Sequence, residues 1–302
     1  MFGIGLVELA LVIVVPALAA TMCVALATRP RGTFSVAREW RWVRRIRLLG
    51  IALGLLIATV LMDHASLAAG GVGTMIAPPG FGLGVLLGVV AGETIVRAPR
   101  PTGPRTASLQ HRSLGTYLPR PTSYAVTTGL ALLGATLLLT TFTAQDDDYL
   151  GQRAIGCQAG PITQSHSPYP GAFYAVPLAI MLGIVLVSAA IAAVAVVRRP
   201  RGLASTDAGD DDLRRRSMTV IVAAVGVAVG TSLTGTAATA AAGLLSLDVE
   251  CAPAWMPVAG WLLVPTALIG LGLGAWCLVR LFVNDSLSNA ADPTARTAPE
   301  HA

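Results

Sequence analysis

Residues 28–47 read TRPRGTFSVAREWRWVRRIR. They hold seven of the chain's 21 basic residues and lie between two long apolar runs. At 100° per residue, Trp42, Ile46, Val43, Val36 and Trp40 fall on one side of a helix, and Arg44, Arg41, Arg45 and Arg38 on the other. Glu39 and Arg47 break the pattern by falling on the apolar side. Two arrangements fit. In one, the helix lies in the inner headgroup layer, with Trp40 and Trp42 down and Arg38, Arg41, Arg44 and Arg45 towards anionic lipids. In the other, it extends the following apolar run as one tilted helix.

The rest of the chain alternates around this stretch. Of its 302 residues 54% are hydrophobic, and the mean hydropathy is +0.69. Only 12% are charged, about half the share of a soluble domain. Apolar residues come in blocks too long to be covered in water, which predicts an all-α, multi-pass membrane protein. No lysine is present, which excludes Schiff-base chemistry and a phosphate-loop lysine. The pI near 9.4 comes from arginines beside apolar runs, so it reflects membrane topology and not nucleic-acid binding.

Seven spans are expected, at about 4–27, 48–62, 81–96, 124–143, 171–197, 218–245 and 256–283. Arginines follow the first span and do not precede it, so the N-terminus is expected outside. Every arginine except Arg153 then falls on the inner side or at an inner helix end. Cleavage of the first span would leave six. The Gly/Pro-rich segment 69–80 reads as an outer loop, and the prolines between Arg97 and Arg120 argue against a continuous helix there. Asp207, Asp210, Asp211 and Asp212, followed by Arg214, Arg215 and Arg216, read as a solvated linker. The tail 284–302 is polar and expected to be disordered and cytoplasmic.

Few residues carry chemistry. Cys157 and Cys251 fall in different outer loops, where disulfides persist, and a bridge between them is expected. Cys23 and Cys277 lie near inner helix ends as packing residues. Glu93, near the inner end of the third span, stands four residues before Arg97, the spacing of a local ion pair. The outer carboxylates and His64 and His166 match no metal-site spacing, and no nucleophile elbow or phosphate loop is present. No cofactor is implied. Gly226/Gly230 and Gly50/Gly54 form GxxxG pairs, and Thr231, Ser232, Thr234, Thr236 and Thr239 continue the first. Such faces bring helices close and can engage a membrane-protein partner. The sixth span is expected at the centre, its hydroxyl row packing against neighbours or lining a polar path.

The segment Gly92-Glu93, Arg97-Ala98-Pro99-Arg100, Gly103-Pro104-Arg105-Thr106-Ala107-Ser108-Leu109 and Tyr117-Leu118-Pro119-Arg120 resembles a pattern in uncharacterised integral membrane proteins of actinobacteria. That resemblance implies a compartment and a lineage, and it carries no functional residues. The sequence therefore points to a non-catalytic structural or accessory component of the plasma membrane. The other reading is a small-molecule transporter with its path beside the sixth span.

Overall fold

A computed structural model describes residues 38–68, 71–95, 114–147, 151–160, 162–199, 207–248 and 250–283. Helices α1 (Arg38–Ala68), α2 (Val72–Ile95), α3 (Leu114–Tyr117), α4 (Arg120–Thr143), α5 (Ala172–Arg198), α6 (Asp207–Leu245) and α7 (Trp255–Val283) build a bundle. All but the four-residue α3 are long and apolar enough to cross a membrane. They account for six of the seven expected spans; the first, 4–27, lies outside the described residues.

Helix α6 is the axis. It packs against α2, α4, α5 and α7, and 72% of its apolar window is buried, against 11% for α1. Leu, Ile and Val side chains of α4, α5 and α7 point outward, among them Ile180, Val187, Leu262 and Leu268. In water such surface would be a liability; in a bilayer it is the lipid-facing wall.

Peripheral α1 is held mainly by α2, through glycines. A Cβ placed on Gly50 would sit 2.5 Å from the Gly88 Cα, and one on Gly88 would sit 2.6 Å from the Gly50 Cα. Gly54 meets the backbone of Phe81 and Gly84 in the same way. The Gly50/Gly54 pair thus meets a second small-residue pair, Gly84/Gly88, and the two backbones touch. Gly88→Val is expected to force α1 away and cost about 1–3 kcal/mol. Gly183→Ala, where an added Cβ meets nothing within 4 Å, is the neutral control. Unfolding in graded mixed micelles would compare them, and equal midpoints would refute the zipper.

Three expectations are corrected. The third span starts at Val72, not Phe81, and α2 runs through Pro78 and Pro79. Each proline removes one backbone bond, but without water to receive the freed groups a helix remains the cheapest path. The chain turns into α2 at Gly71, whose φ of +88° suits glycine.

The linker 207–216 is the second correction. It forms the first turns of α6, where Asp210 and Arg214 are buried. Its aspartates lie at the positive end of the helix dipole, and Asp212 pairs with Arg215 at 3.8 Å.

The third correction concerns the expected outer loop at 145–170. It carries a three-stranded antiparallel sheet of β1 (Gln145–Asp147), β2 (Gly151–Ala159) and β3 (Ile162–His166), in the order β1-β2-β3. Ile155 and Tyr169 are fully buried beneath it, in a cluster with Ala237, Ala240 and Leu244 of α6. The sheet caps one end of the bundle; the other end is rich in arginine.

Candidate functional site

The densest polar cluster lies at the arginine-rich end. Glu93 of α2 is buried, and both its oxygens are taken. Oε1 accepts from Arg47 Nη2 of α1 at 2.7 Å and lies 2.9 Å from the Ser217 hydroxyl of α6. Oε2 accepts from Nη1 of Arg199, just beyond α5, at 2.8 Å. Arg47 Nη2 also donates to Ser217 Oγ at 2.6 Å. The single Ser217 hydrogen is shared between Glu93 and the Leu213 carbonyl, 3.0 Å away. One carboxylate thereby ties α1, α2, α5 and α6 together.

A second tier continues from it. Arg214, fully buried, donates through Nη2 to the Arg199 carbonyl at 2.9 Å and through Nη1 to Asp211 at 3.2 Å. Its guanidinium lies 5.9 Å from the Tyr117 ring centroid, and the Tyr117 hydroxyl donates to Asp211 at 3.0 Å. A cation on the carbonyl after α5 satisfies a helix end that has no further helical donor. The tie therefore also closes the carboxyl end of α5 and anchors α3 through Tyr117.

The expected partner of Glu93, Arg97, lies outside the described residues, and the carboxylate is occupied by residues distant in sequence. Among the described residues Glu93 is held by three elements distant in sequence, and its side chain has no exposed surface. Arg47 carried a usable signal, since it interrupts the apolar face of the opening stretch. Asp210, Arg214 and Ser217 carried another, recurring at helical spacing. Nothing in the sequence marked Arg199, which reads as part of an Arg-Pro-Arg helix stop. Of the amphipathic stretch, residues from Arg38 onward are helical and continuous with the span, and Arg45 is exposed. The side chains of Arg38, Trp40, Arg41, Trp42 and Arg44 lie outside the description.

The threonines of the α6 hydroxyl row turn inward on their own helix, whereas the buried Ser232 hydroxyl has no hydrogen-bond partner among the described residues. Thr231, Thr234, Thr236 and Thr239 donate to the carbonyls of Val227, Gly230, Ser232 and Gly235. Gly226 and Gly230 are used internally, facing Cys277 and the Gly270–Gly274 backbone of α7. Among the described residues no three of His, Cys, Asp and Glu converge as metal ligands.

At the capped end Cys157 of β2 and Cys251, between α6 and α7, are joined by a disulfide with Cα atoms 5.6 Å apart. Gln164 of β3 clamps the same loop. Its amide donates to the Asp248 carboxylate, and its carbonyl oxygen accepts from the Asp248 backbone N–H at 2.9 Å. The Tyr169 hydroxyl bonds Thr143 at 2.8 Å, and burial pushes that phenol above its ordinary pKa.

Six apolar helices, a charge tie at one end and a stapled sheet at the other have the features of a multi-pass helical membrane protein. Comparison with protein-family models, curated proteins and solved structures finds no match to this chain.

Proposed function

We propose that the chain is a non-catalytic structural or accessory component of the plasma membrane, with its arginine-rich end in the cytoplasm and its cap outside. The observation that carries this reading is the closure of the Glu93 cluster. Both carboxylate oxygens are engaged by the protein's own Arg47, Ser217 and Arg199, so the group holds helices together. The hydroxyls of Thr231, Thr234, Thr236 and Thr239 on α6 are spent on their own backbone, which favours packing over a polar path along that row. The arginine bias supports the orientation, and a disulfide in the cap suits an oxidising exterior. Span 4–27 would bring the count to seven with the N-terminus outside. The arginine-bearing start of α1 would rest on anionic inner-leaflet lipids, and the stapled cap offers a firm face for an envelope partner.

Gln158, exposed on β2, gives the test. With a photo-crosslinking residue there, native membranes should yield one discrete heavier species, lost when Cys251→Ser loosens the cap. If the folded protein gives no adduct, the accessory reading falls. If purified protein in liposomes moves a small solute faster than empty liposomes, the transporter reading replaces it.

A further inference from the structure

At the arginine-rich half of the bundle, α4 and α7 part to leave an open slot of about 470 Å³. Its walls are almost wholly apolar: Ala125, Thr128 and Gly129 on α4, with Gly272, Leu273 and Trp276 prominent on α7. The lining covers residues 269–276 of α7, a rise of about 11 Å at 1.5 Å per residue. That is too short to seat a transmembrane helix along a hydrocarbon core of about 30 Å. It suits part of one flexible hydrocarbon chain.

The polar end of the slot is basic. Arg280 follows Trp276 by one helical turn, and its guanidinium lies 5.3 Å from the Trp276 ring centroid. Arg120 is the first residue of α4 and is exposed. Gly129 faces Leu273, and Val126 and Cys277 both face Gly226, so the two helices run past each other in antiparallel register. That register puts Arg120 and Arg280 within about one turn of the same depth. Among the described residues neither belongs to an ion pair. Helix α4 also starts there without a side-chain cap, which leaves the positive end of its dipole open to an anion. An apolar slot with Arg280 at its end, and a second cation and a helix start at about the same depth, complement a molecule with a hydrocarbon tail and a negative head.

We propose that this slot binds an anionic phospholipid of the adjacent leaflet, one acyl chain lying between α4 and α7 and the phosphate between Arg120 and Arg280. Basic recesses between membrane helices on this side recognise acidic headgroups by the same logic. The site is separate from the arginines of the amphipathic stretch, which lie on α1.

Trp276 in the slot wall supplies the readout. The full chain is placed in nanodiscs of phosphatidylcholine containing a minor fraction of dibrominated phosphatidylglycerol or, in parallel, dibrominated phosphatidylcholine. The quenching lost in Trp276→Phe isolates the signal of that ring. Brominated phosphatidylglycerol should quench Trp276 with an apparent preference on the order of ten- to thirtyfold, since each arginine near anionic headgroups contributes roughly a factor of five. Arg120→Gln with Arg280→Gln should remove the preference and leave quenching by both lipids equal. Gly272→Leu should reduce quenching by either lipid; an added Cβ there meets nothing within 4 Å, and an unchanged helical circular dichroism spectrum checks that the variant is folded. Equal quenching of the unaltered protein by the two lipids would overturn the proposal, as would a preference that survives loss of both arginines. Absence of quenching by either lipid would overturn it too, because a protein surface would then cover the slot.

Discussion

Glu93→Ala is expected to destabilise the protein by about 3–5 kcal/mol, the cost of leaving buried charges without their counter-ion. Two guanidiniums converge on that carboxylate, and Arg199 is the deeper, with 2% of its side chain exposed against 11% for Arg47. Arg199→Ala should therefore cost more than Arg47→Ala. Glu93→Gln keeps an acceptor for Ser217 but no charge, and should fall between wild type and Glu93→Ala. A double-mutant cycle over Glu93 and Arg199, read by unfolding in mixed micelles, should show a coupling well above 0.5 kcal/mol. Replacing Glu93, Arg47 and Arg199 together with apolar residues of similar size should recover most of the loss, since a buried ion network often does no better than apolar packing. If Glu93→Ala melts with the wild type, the tie is not structural and the proposed function loses its support.

The second large effect belongs to the cap. Loss of the bridge by Cys157→Ser or by reductant is expected to cost about 2–4 kcal/mol, because it closes a long loop. Its cysteines are 94 residues apart in sequence. The damage should be local. Helical circular dichroism should persist while β1–β3 becomes open to protease, because Tyr169 and Ile155 sit on α6 only as long as the sheet covers them. A thiol reagent gives a direct check: Cys251 should be inert in the oxidised protein and reactive in Cys157→Ser. Unchanged reactivity would contradict the bridge.

Spans were legible because apolar length is a one-dimensional property. Tyr124 to Thr143 and Met256 to Val283 fall wholly within α4 and α7. Ends were less legible wherever a rule learned from water was applied to lipid. Pro78 and Pro79 read as loop punctuation, yet α2 passes through them. Charge misled for the opposite reason. Arg214 looked solvated because one of its partners, the Arg199 carbonyl, comes from another element, and sequence spacing reveals only local pairs such as Arg214 with Asp211. Glu93 was recognised as unusual, but its nearest arginine in sequence was a poor guide to Arg47 and Arg199, which lie 46 and 106 residues away. The sheet escaped notice because β1 has three residues and β3 five, too few to show alternation.

The placement of Arg47 opposite Glu93 bears on how the chain enters the bilayer during synthesis. Both residues belong to the α1–α2 hairpin, which emerges before α5 and α6 exist. A carboxylate inserted alone would have to wait more than a hundred residues for Arg199. With Arg47 beside it, the hairpin brings its own counter-charge and can partition as a neutral unit. Arg199 and Ser217 then arrive as later helices dock. The cap follows a different clock: its bridge can form only after Cys251 has been synthesised, so the staple at one end has to wait for the last helices while the ion pair at the other needs only the first two.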